Sequence, residues 1–327
     1  MGYVAGELIK DDEYNTFVAS SSSPFGYNHF AGTGSGQYGL GQTELAQVSS
    51  TASNQIKAAS WNSLLAGIDN IANHTNDSMT ARGQVTTGDS IKIKSALEND
   101  LATLAASVAG GCVNATALTE SSELQSSASG TRYSATHVVE QSVTFANGNN
   151  LRFFFNAGGK IRIKLTRTGN GGSSATSKDS SVDELITAMG NFDIGAQVST
   201  RSGSGETLTT DGFANGVDDL GTDYTTIFKI TQASGTYTTM FIQGEAKVDN
   251  ATYGSATVVT VRMTINDVDS GDAAFQSSNL SSVDVNANFI GTTDFALHTV
   301  NPTTAQGLDP VYGIASSAEV SNNDTNG

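Results

Sequence analysis

The sequence predicts a mainly β chain with a helical N-terminal part: an antiparallel β-sandwich, jelly-roll-like, preceded by a loop-rich helical docking module. Three observations predict it. Apolar residues follow a helical spacing over the first 130 residues and a spacing of two beyond them. Only 15% of residues are charged and only three are proline, which suits polar, weakly charged strand surfaces rather than a charged disordered tail. Apolar residues make up 37% and are diluted by 35 glycines and many Ser, Thr and Asn, so a core forms but a modest one. The expected division is 1–130 for the helical docking and assembly module. Residues 131–327 follow as a sandwich with one short helix and a loop-rich C-terminal tail.

In the first part, Trp61, Leu64, Leu65, Ile68 and Ala72 form one stripe of an amphipathic helix. Ile93, Leu97, Leu101, Leu104 and Val108 form another, stopped by Gly110–Gly111. A short internal repeat runs through "IKDDEYNTF" (9–17), "IKAASWNSL" (56–64) and "IKSALENDL" (93–101). Each copy reads as an extended Ile-Lys lead-in and a helix whose aromatic or leucine face packs inward. The third copy is weaker, with Glu98 in place of a ring. Unequal spacing excludes a regular solenoid, so small helical units hung on long loops are expected, a build suited to gripping a partner.

Beyond residue 131 the alternation is strict. Ile161, Ile163 and Leu165 alternate with Lys160, Arg162 and Lys164; Val259, Val261, Met263 and Ile265 alternate with polar residues; Val283, Val285, Ala287 and Phe289 do the same. Further strands are expected at 138–145, 151–155, 224–231 and 236–248. One helix interrupts them: Val182, Leu185, Ile186 and Met189 share a face, Ser181 and Glu184 form a capping box, and Gly190 follows. The stretch "LRFFFNAGGKIRIKL" (151–165) reads as a hairpin turned by "NAGG", with its basic residues on the solvent side or against an acidic patch of a neighbouring subunit.

Few function classes survive this reading. A net charge of −16 opposes nonspecific binding to nucleic acid or to an anionic membrane. The single Cys112 excludes an intrachain disulfide and a thiolate metal cluster. The first residues lack a basic region followed by an apolar run, and no run is long enough to cross a bilayer, so a soluble chain made in a cytoplasm is expected. Gly34, Gly36 and Gly39 spell a G-x-G-x-x-G, but no buried strand precedes them, so a glycine loop and no bound cofactor is expected. Asp267, Asp269 and Asp272 faintly resemble a calcium loop, with the glycine misplaced and the final bidentate acid missing; an acidic turn is the reading there, and at 218–224. His29, His74, His137 and His298 lack metal-ligand spacing, and no nucleophile elbow occurs, so neither a metal site nor catalysis is expected.

The segments "GELIKDDEYNTFV", "GTGSGQYGLGQ" and "IKAASWNSLLAGIDNIANHT" resemble virion structural proteins of tailed bacteriophages, of the cyanophage myovirus type. "LRFFFNAGGKIRI" followed by "SKDSSVDELI" is a second point of resemblance. Phe30-Ala31-Gly32 departs from the tryptophan that usually leads the glycine loop, and Leu40 departs from a tyrosine. The resemblance covers about 1–80 and 131–190. It implies a non-enzymatic structural component of the tail, neck or baseplate, or a tail fibre, located in the virion after assembly in the bacterial host cytoplasm. Its implied partners are other virion proteins and further copies of itself, as a trimer or hexamer. Tyr14, Phe17, Trp61, Leu64 and Leu65 are the partner-docking residues this reading nominates, with the aromatics exposed. The alternative is a receptor-binding fibre module that recognises host surface polysaccharide through "TYTTMFIQ" (236–243) and the loop 199–212. A secreted lectin or a depolymerase is the remaining option.

Overall fold

The computed structural model describes residues 11–20, 25–31, 39–49, 56–87, 94–109, 117–129, 132–133, 136–169, 177–205, 208–211, 216–234, 237–252, 254–266, 289–308 and 312–324. Mainly antiparallel β-structure is shown, arranged as a sandwich-like pair of sheets with a few helices. The chain forms two compact units that do not divide at residue 130. One takes residues 1–119 together with 149–159 and 301–313; the other takes 120–148, 160–300 and 314–327.

The strands are β1 (Leu118–Glu120), β2 (Gln125–Ala128), β3 (Arg132–Tyr133), β4 (Thr136–Thr144), β5 (Lys160–Thr168), β6 (Phe192–Ile194), β7 (Ser199–Arg201), β8 (Leu208–Asp211), β9 (Thr225–Gln232), β10 (Phe241–Val248), β11 (Val258–Asn266), β12 (Phe289–Ile290), β13 (Thr292–Pro302) and β14 (Ser316–Asp324). The first sheet has the order β1-β13-β5-β6-β7, with β2 also on β13; the second has the order β14-β4-β11-β10-β9-β8; β3 and β12 pair separately.

Alternation decides which face is inside. Ile161, Ile163 and Leu165 of β5, and Val259, Val261, Met263 and Ile265 of β11, are buried, as a period of two requires. The two inner faces meet at Phe192 and Phe228, whose rings are 4.0 Å apart. A side chain at Gly244 would collide with the Phe228 ring at 2.2 Å, so only glycine lets that ring lie across β10. Gln141 is buried between the sheets yet satisfied: its Nε2 donates to Ser127 Oγ (2.9 Å) and to the Phe295 carbonyl (3.1 Å).

The helices are α1 (Asp11–Val18), α2 (Tyr27–Ala31), α3 (Ala58–Thr75), α4 (Lys94–Ala109), α5 (Gly148–Asn156) and α6 (Ser177–Met189). Helix α6 buries Val182, Leu185, Ala188 and Met189 against strands of both sheets. It starts four residues before the expected cap, because Lys178 and Asp179 are themselves buried within its first turn. Ser181 therefore lies inside the helix, and Glu184 accepts a hydrogen bond from Gln232 Nε2 (2.7 Å) instead of capping.

Three further expectations are corrected. Residues 151–155 form helix α5, not a strand, and Leu151 through Phe155 are all buried, so the run has no wet face for an alternation to mark. Gly158, at φ +87°, ends the turn after that helix, and Gly159 donates back to the Phe154 carbonyl at 2.8 Å. The expected C-terminal tail holds the nine-residue strand β14, registered along β4. Strand β10 starts at Phe241, and Tyr237 and Met240 before it are buried. The expected strand at 283–289 falls almost wholly outside the described residues, as do Gly34, Gly36, Cys112 and the acidic turn at Asp267, Asp269 and Asp272.

Candidate functional site

Three aromatic–asparagine pairs recur in the unit of residues 1–119, 149–159 and 301–313. Asn15 of α1 grips the backbone of Val48 from both sides: its Nδ2 donates to the Val48 carbonyl (2.8 Å) and its Oδ1 accepts from the Val48 amide (2.7 Å). Asn28 of α2 does the same to Leu45 at 2.8 and 2.8 Å, and Asn62 of α3 to Val85 at 3.0 and 2.9 Å. A primary amide has the donor and acceptor spacing of a peptide group, so each bracket imitates one rung of a β-ladder. The loops 43–49 and 76–87 are thereby tied to the helices through their backbone, and Thr43, Glu44, Gln47, Thr80, Gln84 and Thr86 stay exposed on them.

The residue before each asparagine is a buried ring: Tyr14, Tyr27 and Trp61. Trp61 lies 6.3 Å from Tyr14 and 6.1 Å, edge-on, from Phe17. Leu64 and Leu65 are buried as well. The five nominated docking residues therefore close an internal cluster and are not an exposed surface. Burying the rings is what aims the adjacent asparagines at the loops. Residues Asn15 and Asn62 occupy the same place in the first two copies of the internal repeat, whereas Asn99 in the weak third copy lies exposed and forms no such bracket with the described residues. The visible signal was the dipeptide Tyr-Asn or Trp-Asn; the bracket geometry was not readable from it.

Other segments complete this unit. His74 is buried and its Nε2 meets the Ala157 carbonyl at 2.7 Å, while burial pushes its pKa below the ordinary histidine value. Asn70 Nδ2 donates to the Gly307 carbonyl (3.1 Å), and the Phe154 and Tyr312 rings meet at 5.7 Å. Arg82, from the bracketed loop, pairs with Asp100 of α4, which also accepts from the Thr80 amide and hydroxyl.

The sandwich unit carries two charged outer faces. On the first sheet, Arg162 forks onto Asp193 (2.6 and 2.8 Å) and reaches Glu120 (2.6 Å), and Lys164 pairs with the same Glu120. Their common partner, Glu120, also faces His298 Nδ1 at 3.4 Å. So the basic row is the half-exposed side of β5, as expected, but it is neutralised within the chain. Hydrogen bonding from Lys164, then from Arg162, holds the Glu120 carboxyl below its ordinary range. A depressed folded value means stability that is present above the unfolded value, about 4.3, and lost as pH falls through the lower folded one. Glu120→Gln is expected to cost about 1 kcal/mol at pH 7, with the gap from the parent closing below about pH 4. Urea unfolding at pH 7 and pH 3 checks this; a pH-independent gap would refute the ion-pair explanation.

On the second sheet, the cross-strand row Glu245–Arg262–Glu140 places Arg262 between two carboxylates. Arg262 bonds Glu245 at 2.7 Å and also lies 4.0 Å over the Tyr224 ring, which Lys247 covers at 4.4 Å. Lys229 lies 4.1 Å over Phe241. Burial, then the nearby Glu140 carboxylate, pushes the Tyr224 hydroxyl up to about 12.

The four histidines occupy separate surroundings, and among the described residues no three His, Cys, Asp or Glu side chains converge to hold a metal ion. Among the same residues, no helix is long and apolar enough to cross a membrane. Comparison of the chain with protein-family models, with curated proteins and with solved structures finds no match.

Proposed function

We propose that the chain is a non-enzymatic structural component of a tailed-phage virion, of the tail, neck or baseplate or a fibre. The observation that carries this reading is the set of asparagine brackets. Two of the three lie within the segments that resemble phage structural proteins, so those motifs have an architectural job, holding long loops in fixed shape. Rigid, polar, exposed loops suit a protein whose neighbours are other virion proteins and further copies of itself. The docking surface in this reading is the bracketed loops 43–49 and 76–87, which Tyr14, Phe17, Trp61, Leu64 and Leu65 position from inside. The virion is then its location, reached by assembly in the bacterial cytoplasm.

Immunogold electron microscopy of purified particles, with antibody raised against the full chain, tests this. The expected result is label at a defined ring or fibre. Particles without label, and without the protein by mass spectrometry, would sink the proposal.

A second reading, host-polysaccharide recognition, has the outer face of the second sheet in its favour. Phe241 and Tyr224 are half-exposed there, beside Gln243, Thr260 and Thr264. Aromatic rings flanked by amides and hydroxyls are the chemistry that sugars use. Retardation of the purified chain in polyacrylamide containing host polysaccharide, lost in Phe241→Ala, is the expected outcome.

A further inference from the structure

Strand β14 is held in an unusual way for the edge of a sandwich. It runs along β4 from Ser316 opposite Thr144 to Asp324 opposite His137, with a bulge between Glu319 and Ser321. Its sequence, SSAEVSNND, offers two apolar side chains; Ala318 is exposed and Val320 is 54% exposed, so apolar burial contributes almost nothing to its docking. Backbone pairing and directed polar contacts supply the rest. Ser317 Oγ donates to the Leu124 carbonyl (2.8 Å), Asn322 Nδ2 to the Ala128 carbonyl (3.0 Å), and Ser127 pairs with Glu319. Asn322 Oδ1 also faces Nε2 of the buried His137 at 3.1 Å.

These contacts make the slot between β4 and β2 specific for a strand of this sequence. A generic apolar strand would offer none of these donors and acceptors to the Leu124 and Ala128 carbonyls, Ser127 and His137. The slot cannot distinguish its own β14 from that of another copy, because every contact would be identical. The link to β14 is short. Tyr312 is anchored, its hydroxyl donating to the Pro302 carbonyl (2.8 Å) and its ring against Phe154. Only Gly313, Ile314 and Ala315 separate it from the strand, Gly313 at φ +62° and Ile314 96% exposed. Gly313 and Ile314 also mark the boundary between the two compact units. A short hinge carrying an apolar side chain in water favours opening, and exchange of an identical element is a low-cost route to association.

We propose that β14 exchanges between two copies of this chain, each donating Ser316–Asp324 to the slot between β4 and β2 of the other. The recognition is strand addition to a sheet edge, with main-chain bonds for affinity and polar pockets for selectivity. This inference is independent of the virion reading: the exchange can hold whether or not particles carry the protein.

The test uses full-length chains with Cys112→Ser, one carrying Ser142→Cys and the other Ala318→Cys, co-expressed so that they fold together. Ser142 and Ala318 are register partners, and facing residues of an antiparallel pair lie within disulfide reach. After oxidation with oxidised glutathione, exchange predicts a covalent heterodimer, since neither chain holds both cysteines. A chain carrying both substitutions checks that the site can be bridged, and circular dichroism checks folding. Intrachain bridging in the double variant with no heterodimer from the mixture would overturn the proposal. So would a monomeric parent chain by light scattering at every concentration, or a parent dimer whose two cysteine variants, mixed, give no cross-link.

Discussion

Replacing Arg167 with methionine is expected to destabilise the chain by about 3–5 kcal/mol, the range for removing one partner of a buried ion pair. The Arg167 side chain is 1% exposed, and so is that of Asp179. Its NH1 donates to Asp179 at 2.7 Å, its Nε and NH2 fork onto Asp183 at 2.9 and 2.8 Å, and NH2 also reaches the Asp179 carbonyl at 2.9 Å. Burial alone would favour loss of the guanidinium proton, but the two carboxylates outweigh it and its pKa is raised. Methionine fills much of the same volume and takes the guanidinium away from the buried Asp179 carboxylate. Asp183, 43% exposed, keeps its water and matters less.

The cost in Arg167→Met thus comes chiefly from Asp179. Combining it with Asp179→Asn is expected to recover roughly 1–3 kcal/mol, because the buried carboxylate that lost its guanidinium is gone. Urea unfolding followed by far-ultraviolet circular dichroism, on both single variants and the double, measures that coupling. Strict additivity would show that Arg167 acts through its own packing and not through the pair.

The same region shows what could and could not be read from sequence. Arg167 carries no role in the sequence reading, since nothing in one dimension links it to a helix ten residues on. The central strands were legible because each has one wet face: Lys160, Arg162 and Lys164 mark the period of β5, and Thr260, Arg262 and Thr264 that of β11. Where a segment is buried on all sides, the period vanishes. Leu151 to Phe155 look equally good as a strand or as a helix, and tertiary packing chose the helix. Strand β14 failed for the opposite reason: SSAEVSNND has almost nothing to bury, so backbone pairing decides it. The division into units was hidden because 149–159 and 301–313 join the helical unit from far along the chain. The candidate site was half legible. The repeat shows its aromatic and its asparagine, and its inward-packing face agrees with the buried ring, but the docking reading exposes that ring and gives the amide no role.

That reversal leads to the second large effect. Trp61→Ala is expected to cost about 3–5 kcal/mol, as for other buried aromatic deletions, because it removes the ring on which Tyr14 and Phe17 both rest. Trp61 is 3% exposed, and among the described residues no acceptor lies within reach of its Nε1. Burying that donor is itself unfavourable, so Trp61→Phe keeps most of the contact surface while removing the unpaired group, and is expected to cost less than about 1.5 kcal/mol. The consequence for the brackets is the more telling readout. Asn62 follows Trp61 directly, so loss of the ring should free the amide of Val85, its partner at 2.9 Å, to exchange with solvent. Asn15 is expected to loosen from Val48 in the same variant, because Tyr14 loses its neighbour. Hydrogen exchange at Val48 and Val85 should rise at least tenfold in Trp61→Ala and stay near the parent rate in Trp61→Phe. If Trp61→Ala lowers stability while both amides remain protected, the rings are mere core filling and the brackets hold the loops without them.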